Sequence, residues 1–302
     1  MKPLAPGLGY VDLQFLGFPH VIATAVLSHA GGVALVDPGP SSTWPTLKKT
    51  LADAGLGIGD VRTILLTHIH LDHAGATGTI VGENPAIEVC VHERGAPHMI
   101  APEKLLASAT RLYGADMDRL WGRFDPVPSR NIRVLSGGEQ LDVAGRRLEV
   151  AYTPGHASHH VSYLDRDTRL AFVGDTGGIR RPDGYIIPPT PPPDIDLEVW
   201  RDSIARLRAW KPAELFVTHF GPWREPDAHF DALLTALAHV GDVVRASLEE
   251  PGSDEAHARA FQEQMERELV RAVPDANRPS YEAAGRFDLS WAGLARYWRK
   301  KP

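Results

Sequence analysis

The stretch Thr67-His68-Ile69-His70-Leu71-Asp72-His73-Ala74-Gly75 closes an apolar run, Arg62–Thr67 (RTILLT). It places four metal-capable side chains within six consecutive positions. In an extended segment side chains alternate with period two, so His68 and His70 project to one side. Asp72 and His73 come at the turn into a helix, where Ala74-Gly75 lets the backbone pass closely. Two imidazoles can thus share one ion while Asp72 and His73 face a second. Imidazole and carboxylate suit Zn, and also Fe or Mn. The plain alternative is a solvated loop with incidental histidines, and the spacing after a strand argues against it.

Further candidates sit where other strands are expected to end. His156 follows Arg146–Tyr152 in Thr153-Pro154-Gly155-His156. Asp175 follows Arg169–Val173, and His219 follows Glu214–Val217. Each lies beside glycine or proline, and ligands at the ends of several strands can converge on one edge of a scaffold.

Around these motifs the first third reads as a hairpin, Val21–Leu27 and Val33–Val36, stopped by Asp37-Pro38-Gly39-Pro40. Trp44–Ala54 has helical spacing, and a strand is expected at Glu88–Val91. Glu93–Phe124 reads as helix, with strands at Asn131–Leu135, Arg146–Tyr152, Val161–Asp165 and Arg169–Val173. Ile186–Pro193 (IIPPTPPP) suits a rigid extended crossing loop. Leu197–Trp210 reads as helix and Glu214–Val217 as strand. After Gly221 the pattern is all helix, with Ser253-Asp254-Glu255 as a helix start.

Composition narrows the function classes. The 302 residues are 43% hydrophobic and 23% charged, which fits a globular chain with a sizeable core. No apolar run reaches the roughly 20 residues of a membrane span, and the N-terminal MKPLAPGLGYVDLQ carries no secretory pattern. A cytoplasmic protein acting on a small molecule, with no membrane partner, is expected. Net charge is −6 with acids and bases interspersed, which argues against a nucleic-acid partner. A single cysteine, Cys90, excludes an intrachain disulfide and any Cys-rich metal site; Cys90 reads as a small core residue.

HIHLDHAG followed by TPGH, GD and TH, with Asp37-Pro38-Gly39 ahead of them, resembles the metallo-β-lactamase-fold hydrolase superfamily over about the first 220 residues. The resemblance implies an α/β fold, a four-layer αββα sandwich with a metal pair at one edge. It implies His68, His70 and His156 around one metal, Asp72, His73 and His219 around the other, and Asp175 between them. The cofactors expected are two divalent transition metals, Zn first and Fe or Mn as alternatives. In such a site a hydroxide held between ions about 3.5–4 Å apart attacks a carbonyl, with Asp72 handling the proton. Asp37 and His160 are expected to support the ligands from behind. Residues 1–224 would form the catalytic domain, with a helical insert at about 93–125, and 225–302 a helical extension packed on it.

An ester, thioester or lactone hydrolase is the expected activity. A dedicated β-lactamase of this superfamily typically carries cysteine or serine at the position of Asp175, so β-lactam cleavage would be weak at most. TPGHASHHVSYLD resembles the glyoxalase II branch through His160 and Tyr163, yet Gly177-Gly178-Ile179-Arg180-Arg181 does not match its glutathione-binding run. Acyl-homoserine lactonases carry a tyrosine where Gly178 stands, with Tyr185 as a possible substitute. Tyr163, Arg180, Arg181 and Tyr185 are the candidate substrate contacts. The middle helices, with Tyr113 and Trp121, would roof the site or bury a face against the sandwich or a second subunit, leaving a homodimer open. A non-catalytic metal-binding module is the remaining class, disfavoured by the full ligand set.

Overall fold

Strand alternation builds the core. In the strand Ala23–His29, Ala23, Ala25 and Leu27 face one side and Val26 the other. In Glu88–His92, Cys90 faces the first of these sides while Val89 and Val91 face the second. Both faces of these strands are apolar, so each must be covered, and a sheet between a second sheet and a helical layer is the result.

The structure, a computed structural model, describes residues 1–301. Its first sheet has seven strands in chain order: Lys2–Ala5, Leu8–Asp12, Ala23–His29, Gly32–Val36, Val61–Leu65, Glu88–His92 and Ile132–Leu135. The first four pair antiparallel and the last four parallel. The second sheet runs in the order Gly221–Trp223, Glu214–Val217, Leu170–Phe172, Val161–Asp165, Arg146–Tyr152, Gln140–Val143. Tyr10, Leu65 and Cys90 of the first sheet meet Val161, Tyr163, Phe172 and Phe216 of the second between the layers.

Helices cover both outer faces. Trp44–Asp53, Thr77–Glu83 and the three middle helices Ala96–Ile100, Glu103–Tyr113 and Met117–Trp121 contribute to the core outside the first sheet. Leu197–Ala209 covers the second sheet together with Pro226–Ser247, Asp254–Ala272, Arg278–Ala284 and Phe287–Arg299. This is the expected αββα sandwich with its C-terminal helices. The tail does not stand apart: Phe230, Leu233, Met265 and Trp291 share one buried cluster with Trp200, Leu207 and Val217. Ser253 caps its helix as the sequence suggests, accepting from the Ala256 N–H at 3.3 Å.

Some expectations need correction. The chain after Gly221 is not helical from the outset: Gly221–Trp223 is an edge strand paired with Glu214–Val217, and the helices begin at Pro226. The proline-rich stretch begins as part of a two-stranded ribbon, Ile179–Arg180 with Ile186–Ile187, before it becomes irregular. Among the described residues, no helix is long and apolar enough to cross a membrane.

Candidate metal centre

Seven candidate ligands meet where strands end. The strand Val61–Leu65 leads through Thr67 to His68 and His70, and the short helix Leu71–Ala74 carries Asp72 and His73. His156, Asp175 and His219 arrive from turns after Arg146–Tyr152, Leu170–Phe172 and Glu214–Val217. Two glycines let this happen. Gly155 has φ +134°, and a Cβ there would lie 2.4 Å from the Trp200 backbone. Gly174 has φ +45°, and its Cβ would meet Thr67 Oγ1 at 2.5 Å. Any side chain at either position would displace the neighbouring candidate ligand.

The donor atoms form two adjoining groups. His68 Nε2 and His156 Nε2 lie 3.0 and 2.9 Å from His70 Nδ1. On the other side, His219 Nε2 and His73 Nε2 lie 3.3 and 3.8 Å from Asp72 Oδ2. Asp175 faces both groups: its Oδ2 is 3.3 Å from His156 Nε2, and its Oδ1 is 3.1 Å from His73 Nε2 and 3.5 Å from His219 Nε2.

Partners behind the rings set which nitrogen faces inward. His156 Nδ1 donates to the Pro189 carbonyl at 2.8 Å and His219 Nδ1 to the Val21 carbonyl at 2.8 Å. His73 Nδ1 is 2.8 Å from Asp37 Oδ2. In the neutral tautomer each ring then turns its Nε2 lone pair into the centre. Asp37 also accepts from the Thr67 N–H, from Thr67 Oγ1 and from Thr218 Oγ1, at 2.8, 2.7 and 2.9 Å. These contacts hold Asp37 at φ +50°, an uncommon conformation for a residue other than glycine. Asp37→Ala is therefore expected to cost tenfold to a hundredfold in metal affinity or activity, on the order seen when a ligand's supporting partner is lost. Metal titration of the variant checks this.

The electrostatics call for positive charge. Burial and neighbouring imidazoles push His68 well below the ordinary histidine pKa, and burial beside His156 brings His70 to about 4. Both are neutral and available as ligands. Burial also opposes a charge on His73, yet Asp175, Asp72 and Asp37 overcome it and raise its pKa well above the ordinary value. Burial pushes Asp72 up, but His73 and His219 bring it down to about 2. Two buried atoms, His73 Nε2 and Asp175 Oδ1, have no hydrogen-bond partner. They lie 3.1 Å apart and are misaligned for each other, as atoms aimed at a shared cation would be. The donor set and these orphaned atoms fit divalent metal.

A cavity of about 330 Å³ opens over this centre. His70, Asp72, His156, Asp175 and His219 form its floor, and Phe15, Ile22, Leu105, Leu112, Tyr113 and Trp121 much of its wall. The C-terminal segment adds Ala283, Ala284, Arg286 and Leu289, and the proline-rich stretch adds Pro189–Pro193. The middle helices and the tail thus both shape the opening.

The four expected substrate contacts do not line this cavity. Tyr163 is fully buried between the sheets and donates to the Leu66 carbonyl at 2.7 Å. The Arg180 guanidinium stacks 4.0 Å over the Trp223 ring. Arg181 is buried and donates to the Pro19 and His20 carbonyls. Tyr185 packs edge-on against Tyr281 at 5.8 Å and lines a smaller cavity elsewhere. His160 lies behind His68, with ring centroids 5.0 Å apart and its Nδ1 within reach of Thr153 and Thr176. His159 accepts from the Ile69 N–H at 3.4 Å. The sequence reading missed Thr67, Thr218 and the carbonyls of Val21 and Pro189; backbone acceptors leave no trace in residue type.

A family model for the metallo-beta-lactamase superfamily matches residues 18–219. The chain belongs to that superfamily. A metallo-beta-lactamase fold-containing protein of Sulfurisphaera tokodaii is 29% identical over 219 residues, 71% of this chain and 78% of that protein. A hydroxyacylglutathione hydrolase of Aeromonas hydrophila is 30% identical over 151 residues, which cover 50% of this chain and 44% of that enzyme. Among solved structures, a metallo-beta-lactamase family protein from Thermus thermophilus aligns over 99% of this chain and 95% of its own, with a TM-score of 0.74 and 25% identity.

Proposed function

We propose that this protein is a dinuclear metal-dependent hydrolase of esters, thioesters or lactones whose acyl part is apolar. The observation that carries the reading is the apolar-walled cavity seated directly on the two donor groups. His68, His70 and His156 would hold one ion, Asp72, His73 and His219 the other, and Asp175 both. Such ions supply a Lewis acid for a carbonyl oxygen and bring a water's pKa toward neutrality. Asp72, ionised and with 24% of its side chain exposed, can orient a water and receive its proton. The surrounding apolar wall excludes bulk water and seats the acyl group beside the donors.

The cavity's charges argue against a glutathione conjugate. Its two arginines are already paired: Arg119 with Asp116 at 2.9 Å and Arg286 with Asp288 at 2.6 Å. The carboxylates of Asp72, Asp116, Asp175 and Glu282 also line it, so no free cation awaits the glutathione carboxylates. The similarity to hydroxyacylglutathione hydrolases supports thioester chemistry in general.

A series of 4-nitrophenyl esters from acetate to octanoate, run beside S-lactoylglutathione on zinc-reconstituted protein, tests the proposal. Activity is expected to rise on the order of threefold per added methylene until the cavity is filled. S-lactoylglutathione should be cleaved far more slowly. A preference for the glutathione thioester would overturn the acyl assignment. Full metal occupancy without turnover of esters, thioesters or lactones would point to a metal-binding module.

A further inference from the structure

Tyr113 has no role in the fold that would explain its hydroxyl. It ends the helix Glu103–Tyr113, where Gly114 at φ +53° turns the chain away. Its ring is fixed on two sides. Trp121 packs edge-on at 5.0 Å, and the Arg286 guanidinium lies 5.1 Å from the ring centroid. Arg286 is itself clamped by Asp288 through Nε and Nη2 at 2.9 and 2.6 Å. The ring is thus gripped between the middle helices and the C-terminal segment.

The hydroxyl, by contrast, is free. Tyr152 and Tyr163 donate to backbone carbonyls, and Tyr281 and Tyr297 to carboxylates. The Tyr10 and Tyr185 hydroxyls are also without a hydrogen bond to the described residues, but neither residue lines the cavity over the candidate centre. Tyr113 makes no hydrogen bond to any of the described residues, although it lines the same cavity as Asp72 and Asp175. Its ring is fixed and its hydroxyl has no protein partner, so the hydroxyl is available to whatever ligand fills the cavity. At neutral pH a tyrosine hydroxyl carries its proton and can donate it in a hydrogen bond to a ligand oxygen.

We infer that the Tyr113 hydroxyl donates a hydrogen bond to an oxygen of the scissile acyl group, positioning it over the candidate metal centre. The inference rests on the hydrolase reading above. No proton is transferred. The bond strengthens as charge develops on that oxygen, so its loss falls mainly on kcat.

Tyr113→Phe keeps the ring, the Trp121 contact and the Arg286 contact, and removes only an unpartnered hydroxyl. Zinc-reconstituted wild type and variant are compared on 4-nitrophenyl octanoate, with octanoate binding measured by calorimetry. The expected results are a tenfold to hundredfold lower kcat, octanoate binding weakened about fivefold, and unchanged metal content and Tm. Unchanged kcat and octanoate affinity would overturn the Tyr113 assignment alone, as would a loss that tracks metal content or Tm. A wild type that neither cleaves the ester nor binds octanoate overturns the hydrolase reading, and this inference with it.

Discussion

Asp175→Ala is expected to bring metal content below one ion per chain and to lower kcat/KM by on the order of 10³ or more. The carboxylate faces both donor groups, with Oδ2 toward His156 and Oδ1 toward His73 and His219. Its loss should therefore affect both ions, whereas loss of one histidine should weaken one. The magnitude follows from the several kcal/mol of charge stabilisation that metal ions supply in such sites. The fold should persist, since Asp175 makes no hydrogen bond through Oδ1 and contributes to no apolar cluster. Elemental analysis beside a circular dichroism spectrum checks this. An Asp175→Ala protein with full metal and full activity would remove the carboxylate from the centre.

The second large effect concerns the tail. Ending the chain after Arg224 is expected to give insoluble or unfolded protein. The cut strips Phe230, Leu233, Leu237, Val244, Met265 and Trp291 from the face formed by Trp200, Ile204, Leu207 and Val217. The exposed patch would far exceed what a soluble monomer carries. It also removes the cavity wall from Glu282 to Ser290. A milder version is Phe230→Ala, which empties a fully buried position and should cost about 3–5 kcal/mol by denaturant unfolding. A soluble, active truncated chain would show that the tail neither stabilises the sandwich nor shapes the site.

Local chemistry made most of the fold legible. Short runs rich in apolar residues and closed by turn residues marked Arg146–Tyr152, Val161–Asp165 and Glu214–Val217, and these strands stand where the pattern placed them. The middle helical stretch is broken into three pieces, at Ala101-Pro102 and Gly114. The edge strands Lys2–Ala5 and Gln140–Val143 escaped notice because they are short and partly exposed, so their sequences carry little apolar signal. The donor cluster was readable because each candidate ligand lies at the end of a recognisable strand.

The four candidate substrate contacts lie away from the cavity for two physical reasons. Tyr163 shares its face with Val161, and period-two alternation buries both between the sheets. Arg180 and Arg181 look like an exposed basic pair, but Trp223 and Tyr281 cover them. Covering residues so distant in sequence cannot be inferred from the local pattern. The same holds for the cavity, whose walls come from segments as far apart as Phe15, Tyr113 and Arg286.

Metal content of the wild-type protein, purified without chelators and measured by elemental analysis against protein concentration, tests the central claim most directly. Two adjoining donor groups joined by Asp175 predict about two divalent transition-metal ions per chain, with ester hydrolysis lost on chelation and restored by zinc. A firm stoichiometry of one ion per chain, with activity already maximal, would contradict the dinuclear account.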